Sequence, residues 1–460
     1  MLMARAVRRS TVFIASETAL IFGSVLLMAH TRAPEPGSAV MDSAMLLPKA
    51  LLIALGCQLC LYARDLYEGR VSANRQEVFV RLFQALGVTS IIFAIVYTMF
   101  PSLVIARGVF VGAVTLAAVL ILGWRGTLAW VRTQVGPHER LLVVGTNAGA
   151  LALASELCDR SDLGVDIVGF VEPESPGRDA FGATPVIGTV EDIPAIVRAR
   201  SVDRVVVSLS DARGKLPMDK LLEMKLDGVQ FAHLASVYEE YTGKIAIDNL
   251  RPSWLIFSSG FSKTRLLKVA KRALDITAAL AGLVLSGPLQ LLVAAAVRLT
   301  SRGPVIYRQQ RVGLDGQIFV IRKFRSMREN AEAATGPVWA RPKDDRVTLI
   351  GAFLRRTRLD ELPQLWNVLL GDMSLVGPRP ERPEFVATLT RAIPFYGQRH
   401  VLKPGLTGWA QVRYTYGASV EDPIEKLQYD LFYIKHLSIW LDVFIMLGTV
   451  KVVLLGRNSC

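Results

Sequence analysis

At 460 residues, 51% of them hydrophobic and with mean hydropathy +0.36, the chain is too long for one domain and too apolar for an ordinary soluble protein. Its formal charge of +13 arises wholly from Lys263 onward, where 29 Lys and Arg face 16 Asp and Glu, against 24 of each before it. Such a basic segment suits anionic lipid or a phosphorylated substrate; the apolar spans and the lack of an aromatic–basic repeat disfavour nucleic acid. Cys57 and Cys60 form a CxxC inside an apolar run and read as a buried helix face, while Cys158 and Cys460 are isolated. With no disulfide framework and no zinc spacing, the soluble parts are expected in a reducing compartment.

Four apolar stretches come first: Val12–His30, Ala44–Ala63, Leu82–Phe100 and Leu103–Trp124. Each has about the 20 residues that a spanning helix needs. Glu17 and Arg107 interrupt two of them and are expected near an interface or facing another helix. Arg5, Arg8 and Arg9 precede the first span, Arg64, Arg70, Arg75 and Arg81 fill the second loop, and Arg125, Arg132 and Arg140 follow the fourth. The other two loops hold Arg32 and Lys49 at most, so the positive-inside rule puts both ends of this segment in the cytoplasm.

From Arg140 the pattern alternates: strands at Leu141–Val144, Ile167–Val171 and Arg204–Leu209, helices at Ala148–Cys158, Asp192–Ala199 and Met218–Leu226. That predicts a parallel sheet with helical crossovers. The first turn, from Gly145 to Ala150, is close to a dinucleotide fingerprint, but Asn147 stands where the second glycine belongs and Ala150 where the third does. A tight turn without a cofactor is the favoured reading; a regulatory nucleotide site, with Glu172 on the ribose, is the alternative.

Ile276–Val297 is 22 residues without a charge, long enough to span, yet Ser286, Gly287 and Pro288 sit at its midpoint. Its flanks are equally basic, and a fifth span would place the basic segment outside the cell. A kinked helix that enters and leaves on the cytoplasmic face is expected. Strands follow at Pro304–Gln310 and Ile318–Arg322, and Leu437–Leu455 reads as an amphipathic surface helix because it contains Asp442 and Lys451.

The chemistry concentrates in Arg355–Pro380, where Asp360 and Glu361 lie among Arg355, Arg356, Arg358 and Arg379. An aspartate can attack a phosphoryl group if cations neutralise the departing charge, and magnesium suits oxygen ligands and phosphates. Adjacent helical residues point about 100° apart, so the two carboxylates should divide the work.

Six collinear motifs carry a resemblance: Lys271–Asp275, Gly303–Gly313, Lys323–Met327, Leu359–Gln364, Gly371–Pro380 and Lys403–Gln411. Together they resemble the bacterial sugar transferase domain of the monotopic phosphoglycosyl transferase superfamily, here in the long form. The resemblance implies a four-helix transmembrane bundle at 1–130, a cytoplasmic Rossmann-like α/β domain at 139–250, and a mixed α/β catalytic domain at 263–460. The last would have its re-entrant helix at 273–299, broken at Ser286 and Pro288. Residues 412–419 are similar to the branch beside exosortase-type exopolysaccharide clusters. The implied reaction is ping-pong: Asp360 attacks a UDP-sugar and releases UMP, and undecaprenyl phosphate takes the phosphosugar, beginning exopolysaccharide or O-antigen synthesis at the inner membrane. Glu361 would assist, Mg²⁺ would sit at Asp360, and Lys323, Arg325, Arg355, Arg358 and Arg379 would hold phosphates. Pro378 and Pro380 would border the nucleotide pocket; glucose and galactose are the implied sugars. The apolar segment and the α/β domain are candidate homodimer surfaces. Short members carry Asn-Gly-Arg after Trp-Ala-Gln-Val where this chain has Arg413, Tyr414 and Thr415, so contacts from that loop do not carry over. A membrane-anchored NAD-dependent dehydratase or epimerase would need an intact glycine fingerprint and a Tyr-x-x-x-Lys pair, and no tyrosine here has lysine four residues later. A non-catalytic scaffold for a polysaccharide complex would not need the acidic pair.

Overall fold

The computed structural model describes residues 2–31, 43–64, 66–67, 75–105, 108–135, 139–158, 164–172, 180–181, 184–208, 218–247, 258–261, 263–329, 331, 345–414 and 422–454. They form two compact units, Met1–Thr242 and Gly243–Cys460.

In the first unit, α1 (Leu2–Thr31), α2 (Ser43–Ala63), α3 (Arg75–Met99) and α4 (Val109–Val135) pack around one apolar core that includes Ile21, Ile53, Leu82 and Ile121. All four have segments long and apolar enough to cross a membrane. Cys57 and Cys60 are both buried in α2, as a helix-face reading requires. Glu17 is fully buried and faces another helix, one of the two expected placements: it pairs with Arg125 of α4 at 2.7 Å and accepts a hydrogen bond from the Tyr67 hydroxyl at 2.6 Å. An acid inside an apolar core is tolerable only with such partners. Arg107, the other interrupting charge, lies outside the described residues.

The α/β part follows with β1 (Glu139–Val144), α5 (Ala148–Cys158), β2 (Val165–Glu172), β3 (Ala180–Phe181), β4 (Thr184–Thr189), α6 (Ile193–Arg200), β5 (Arg204–Val207), α7 (Met218–Leu226), β6 (Gln230–His233) and α8 (Leu234–Thr242). The six strands lie in the order β3-β4-β2-β1-β5-β6, parallel except for β3. The three expected strands are its centre; β3, β4 and β6 have too little apolar periodicity to read in advance. The chain reverses direction across the sheet between β1 and β5, where α/β sheets open a ligand crevice. Here the side chains turn inward. Asn147 Oδ1 accepts from the Ala150 amide at 2.9 Å and from Ser208 Oγ at 2.7 Å, and the Thr146 hydroxyl bonds the Glu172 carboxylate.

The second unit is organised on α9 (Arg265–Thr300), a 36-residue helix started by the Thr264 hydroxyl, which accepts from the Leu267 amide. Its helical structure is continuous through Ser286 and Pro288, so no break appears there. Pro288 cannot donate to the turn before it, and the nearby Ser286 hydroxyl bonds the Gly282 carbonyl and accepts from Gln290 Nε2 at 2.8 Å. One domain holds α9 along its length. Near its start, Asp275 accepts from Ser374 Oγ at 3.0 Å and the Leu375 amide at 2.9 Å, and Arg272 donates to the Val368 and Leu369 carbonyls. At mid-helix, a Cβ on Gly282 would stand 3.1 Å from Leu365. Near its end, Val293 and Val297 share a core with Phe324 and Leu354. The outward face is apolar and exposed, with Val284, Leu285, Leu291 and Leu292 on it.

Around α9 stand the antiparallel hairpin β7 (Ile306–Val312) and β8 (Ile318–Phe324), then α10 (Leu349–Arg356), a 3₁₀ turn at Leu359–Glu361, α11 (Gln364–Leu370) and β9 (Ser374–Val376). There follow α12 (Pro383–Ala392), β10 (Gly405–Thr407, parallel to β9), α13 (Trp409–Arg413), α14 (Asp422–Lys435) and α15 (Ile439–Leu454). Helix α15 falls within the expected 437–455. Asp442, read as part of a polar face, is buried and pairs with Lys271 at 2.7 Å while accepting from the Tyr433 hydroxyl at 2.6 Å. Trp440, Leu447 and Val450 are the exposed positions. The helix is docked through its acid and shows an apolar face outward; the Lys451 side chain is outside the described residues.

Candidate active site

The acidic pair sits where α10 ends. Thr357 closes that helix, and Arg358 takes a left-handed conformation with φ 58°, unusual for a residue with a side chain. That reversal starts the 3₁₀ turn, whose Leu359 packs against the α9 core and whose Asp360 and Glu361 are both buried. Helix α11 is locked to β8 by Asn367, which accepts from the Arg322 amide at 3.1 Å and donates to the Val320 carbonyl at 2.7 Å. Lys323, next along that strand, is thereby held opposite the turn.

The two carboxylates differ sharply. Glu361 Oε1 meets Lys323 at 3.2 Å and Arg379 at 3.1 Å, and Oε2 meets Arg358 at 3.4 Å. Burial opposes its charge, but Lys323, Arg379 and Arg358 together hold its pKa well below the usual carboxylate range. Asp360 Oδ1 is buried with no hydrogen-bond partner. Burial and the neighbouring Glu361 charge push its pKa up to about 6, against the pull of Lys323, Arg355 and Arg358. One acid is neutralised and fixed; the other is desolvated and left open. Lys323 itself is pushed down by burial, with Glu361 opposing.

The remaining expected residues divide. Arg355 directs Nε to Ser326 Oγ at 2.9 Å while its charge acts on Asp360. Arg325 directs Nη2 to both the carbonyl and the hydroxyl of Ser301 at 2.8 Å, at the end of α9. Pro378 and Pro380 contribute carbonyls: Pro378 accepts from the Gly405 amide at 2.9 Å and Pro380 from Arg311 at 3.1 Å. Arg379 between them accepts from Arg399 at 3.1 Å. Three consecutive carbonyls of this turn are therefore pinned from three parts of the chain. Arg399, buried and paired with Asp430 at 2.7 Å, was not read from the sequence, nor was Arg311. A buried arginine beside a tyrosine three residues earlier is the only local sign of the first. Arg413 places its guanidinium over the Trp409 ring, and Thr415 is outside the described residues.

A mainly apolar pocket of about 240 Å³ adjoins the turn, lined by Leu359, Leu362, Leu365, Leu406 and Val412 together with Arg358 and Glu361. Among the described residues no group of three or more His, Cys, Asp or Glu could hold a metal ion. Magnesium is commonly held by one or two carboxylates with substrate phosphates, and the unpartnered Oδ1 of Asp360 is the donor type it takes.

Comparison with known proteins matches residues 62–222 to a CoA-binding domain family and residues 266–456 to the bacterial sugar transferase family. Within the first, at the β1–β5 crossover, Asn147 caps α5 and accepts from Ser208, and Glu172, the residue read as the ribose ligand, is engaged by Thr146. Among relatives, the UDP-glucose:undecaprenyl-phosphate glucose-1-phosphate transferase of Xanthomonas campestris pv. campestris is 34% identical over 363 residues, 76% of this chain and 73% of that protein. The transferase of the same name from Escherichia coli (strain K12) is 34% identical, over 70% of this chain and 69% of its own. A UDP-N-acetylgalactosamine-undecaprenyl-phosphate N-acetylgalactosaminephosphotransferase of Aeromonas hydrophila is 43% identical over 49% of this chain, which spans 53% of it. With the acidic turn and its cations inside the matched region 266–456, the chain belongs to the bacterial sugar transferase family and is a long-form phosphoglycosyl transferase.

Proposed function

We propose that the protein transfers a hexose-1-phosphate from a UDP-sugar to undecaprenyl phosphate through a phosphosugar on Asp360, at the cytoplasmic face of the inner membrane. The observation that carries this reading is the division within the pair: Asp360 is buried, unpartnered and raised in pKa, while Glu361 is held by three cations. In the first step a carboxylate oxygen of Asp360 attacks the β-phosphorus, the bond from that phosphorus to the bridging oxygen breaks, and UMP leaves with the electron pair. In the second, an oxygen of the lipid phosphate attacks the same phosphorus and the aspartyl bond breaks, restoring the carboxylate and giving a lipid diphosphosugar.

Lys323, Arg358 and Arg379 neutralise Glu361 in the free enzyme, and Lys323 and Arg379 also face the charge of the diphosphate when the donor arrives. Glu361 is the orienting group that keeps these cations converged. Mg²⁺, held by Asp360 and the donor phosphates, would supply further charge neutralisation on the diphosphate. Arg325, tied to Ser301, is a support for the end of α9 in this account. The relatives named for glucose and N-acetylgalactosamine, with the galactose that the family resemblance implies, give three UDP-sugars for the panel to assay. The product opens an exopolysaccharide or O-antigen pathway.

A re-entrant α9 is supported by its contacts: a helix gripped near its start, at mid-length and near its end by one domain has both ends on that domain's side. The N-terminal helices are read as a four-helix transmembrane bundle and a homodimer surface. Membranes supplied with radiolabelled UDP-sugar and undecaprenyl phosphate test the chemistry. Asp360→Asn is expected to eliminate lipid product and UMP together; retained turnover would remove Asp360 as nucleophile.

A further inference from the structure

The pocket beside the acidic turn is chemically unlike a site for a nucleotide sugar, whose base, ribose and hexose all require hydrogen-bonding groups. Its apolar wall is built by leucines of the turn and of α11 on one side and by Leu406 and Val412 on the other. The three threonines that also line it have spent their hydroxyls. Thr407 and Thr449 bond each other at 2.6 Å, and Thr357 donates to the Phe353 carbonyl at 2.9 Å. What remains facing the cavity is mainly hydrocarbon, with Arg358, Glu361 and Gln411 as its other polar lining residues.

Its walls are the inner sides of helices whose outer sides are exposed and apolar. Leu365 lies against Gly282 of α9, and Thr449 belongs to α15, whose outward face carries Trp440, Leu447 and Val450. On α11 itself, Trp366 and Leu370 are exposed. A hydrocarbon chain leaving the pocket therefore meets further apolar surface. At the other end, the pocket abuts the turn that carries Asp360 between the lining residues Leu359 and Glu361.

We propose that this pocket seats the first isoprene units of the prenyl phosphate acceptor, with its phosphate at Arg358 beside Asp360. The assignment rests on the transferase reading above and adds to it a separate acceptor seat. Donor and acceptor then approach Asp360 from different sides: the donor diphosphate along Lys323 and Arg379, the lipid along Leu406 and Val412.

The test uses the full chain in lipid nanodiscs and a prenyl phosphate bearing a diazirine in its first isoprene unit, without UDP-sugar. Photolysis and peptide mass spectrometry are expected to place adducts within Thr357–Leu365 or Leu406–Val412. Undecaprenyl phosphate should compete the label and phosphatidic acid should not. Leu406→Trp, which fills the cavity, should lower labelling about tenfold or more. Adducts confined to other segments, equal competition by both lipids, or labelling unchanged in the tryptophan variant would each overturn the proposal. Should that variant fail to fold, the adduct positions on the unaltered chain still decide. Failure of the transferase reading looks different: no UMP release from any UDP-sugar, with the label still in the pocket, removes the activity and leaves the prenyl phosphate seat.

Discussion

Asp360 and Glu361 are neighbours in sequence and opposites in electrostatics, and their coupling gives a pH prediction. Asp360 must be ionised to attack, and its pKa is raised to about 6, so UMP release should fall as pH drops through that value. The charge on Glu361 contributes to the rise. Removing it in Glu361→Gln should lower the Asp360 pKa and shift the acid limb of the profile to lower pH, even as the rate falls. A limb that stays in place or moves upward would show that Glu361 does not act on Asp360 through its charge. The sign for stability runs the other way for Glu361 itself. Its depressed pKa contributes stability that is present above its unfolded value and lost as pH falls toward the folded one. Much of this site was legible in advance, because an acidic pair among arginines has few uses. Which cation meets which oxygen was not. Lys323 is 38 positions from Glu361 and Arg379 is 18, and only the fold brings them to the same carboxylate oxygen. Nor was the contact of Arg325 legible: it lies just past the strand, two positions from Lys323, and bonds Ser301.

Between elements, the informative contacts are polar ones under apolar helices. Lys271 of α9 meets Asp442 of α15, and Asp275 of α9 caps two groups of β9. Lys271→Met would leave a buried carboxylate without its cation and should cost about 3–5 kcal/mol of stability. Asp275→Ala would strand the Leu375 amide and should cost about 1–3 kcal/mol. Chemical denaturation in detergent, monitored by tryptophan fluorescence, measures both; an unchanged midpoint for either would mean that α9 is held by its apolar contacts alone. Gly351→Ala is a sharper case, since a Cβ there would stand 1.9 Å from the Ser326 carbonyl. It should push α10 from the segment after β8 that holds Ser326 and loosen Arg355 from that serine, lowering activity with the acidic pair intact. Hydropathy located α9 and α15 well, because long apolar runs declare themselves. It misjudged Asp442 because an acid in an apolar helix reads as a solvent-facing residue until its lysine, 171 positions away, is known.

At the scale of the whole chain, two units carry different problems. The first holds four apolar helices and a parallel sheet whose crossover is filled by its own side chains; the second holds every residue assigned to the chemistry. Membrane topology is the whole-molecule prediction. Single cysteines at Arg265 and Arg302, both exposed and flanking α9, should react with a membrane-impermeant maleimide from the cytoplasmic side only. Labelling from opposite sides would make α9 a spanning helix.

The central claim is a covalent intermediate on Asp360. Purified protein mixed with excess UDP-sugar and no lipid acceptor should release about one UMP per active site in a single burst. Mass spectrometry should then find one hexose-phosphate on the peptide that contains Asp360. UMP released only when undecaprenyl phosphate is also present, with no adduct on that peptide, would mean direct transfer in a ternary complex and would contradict the account.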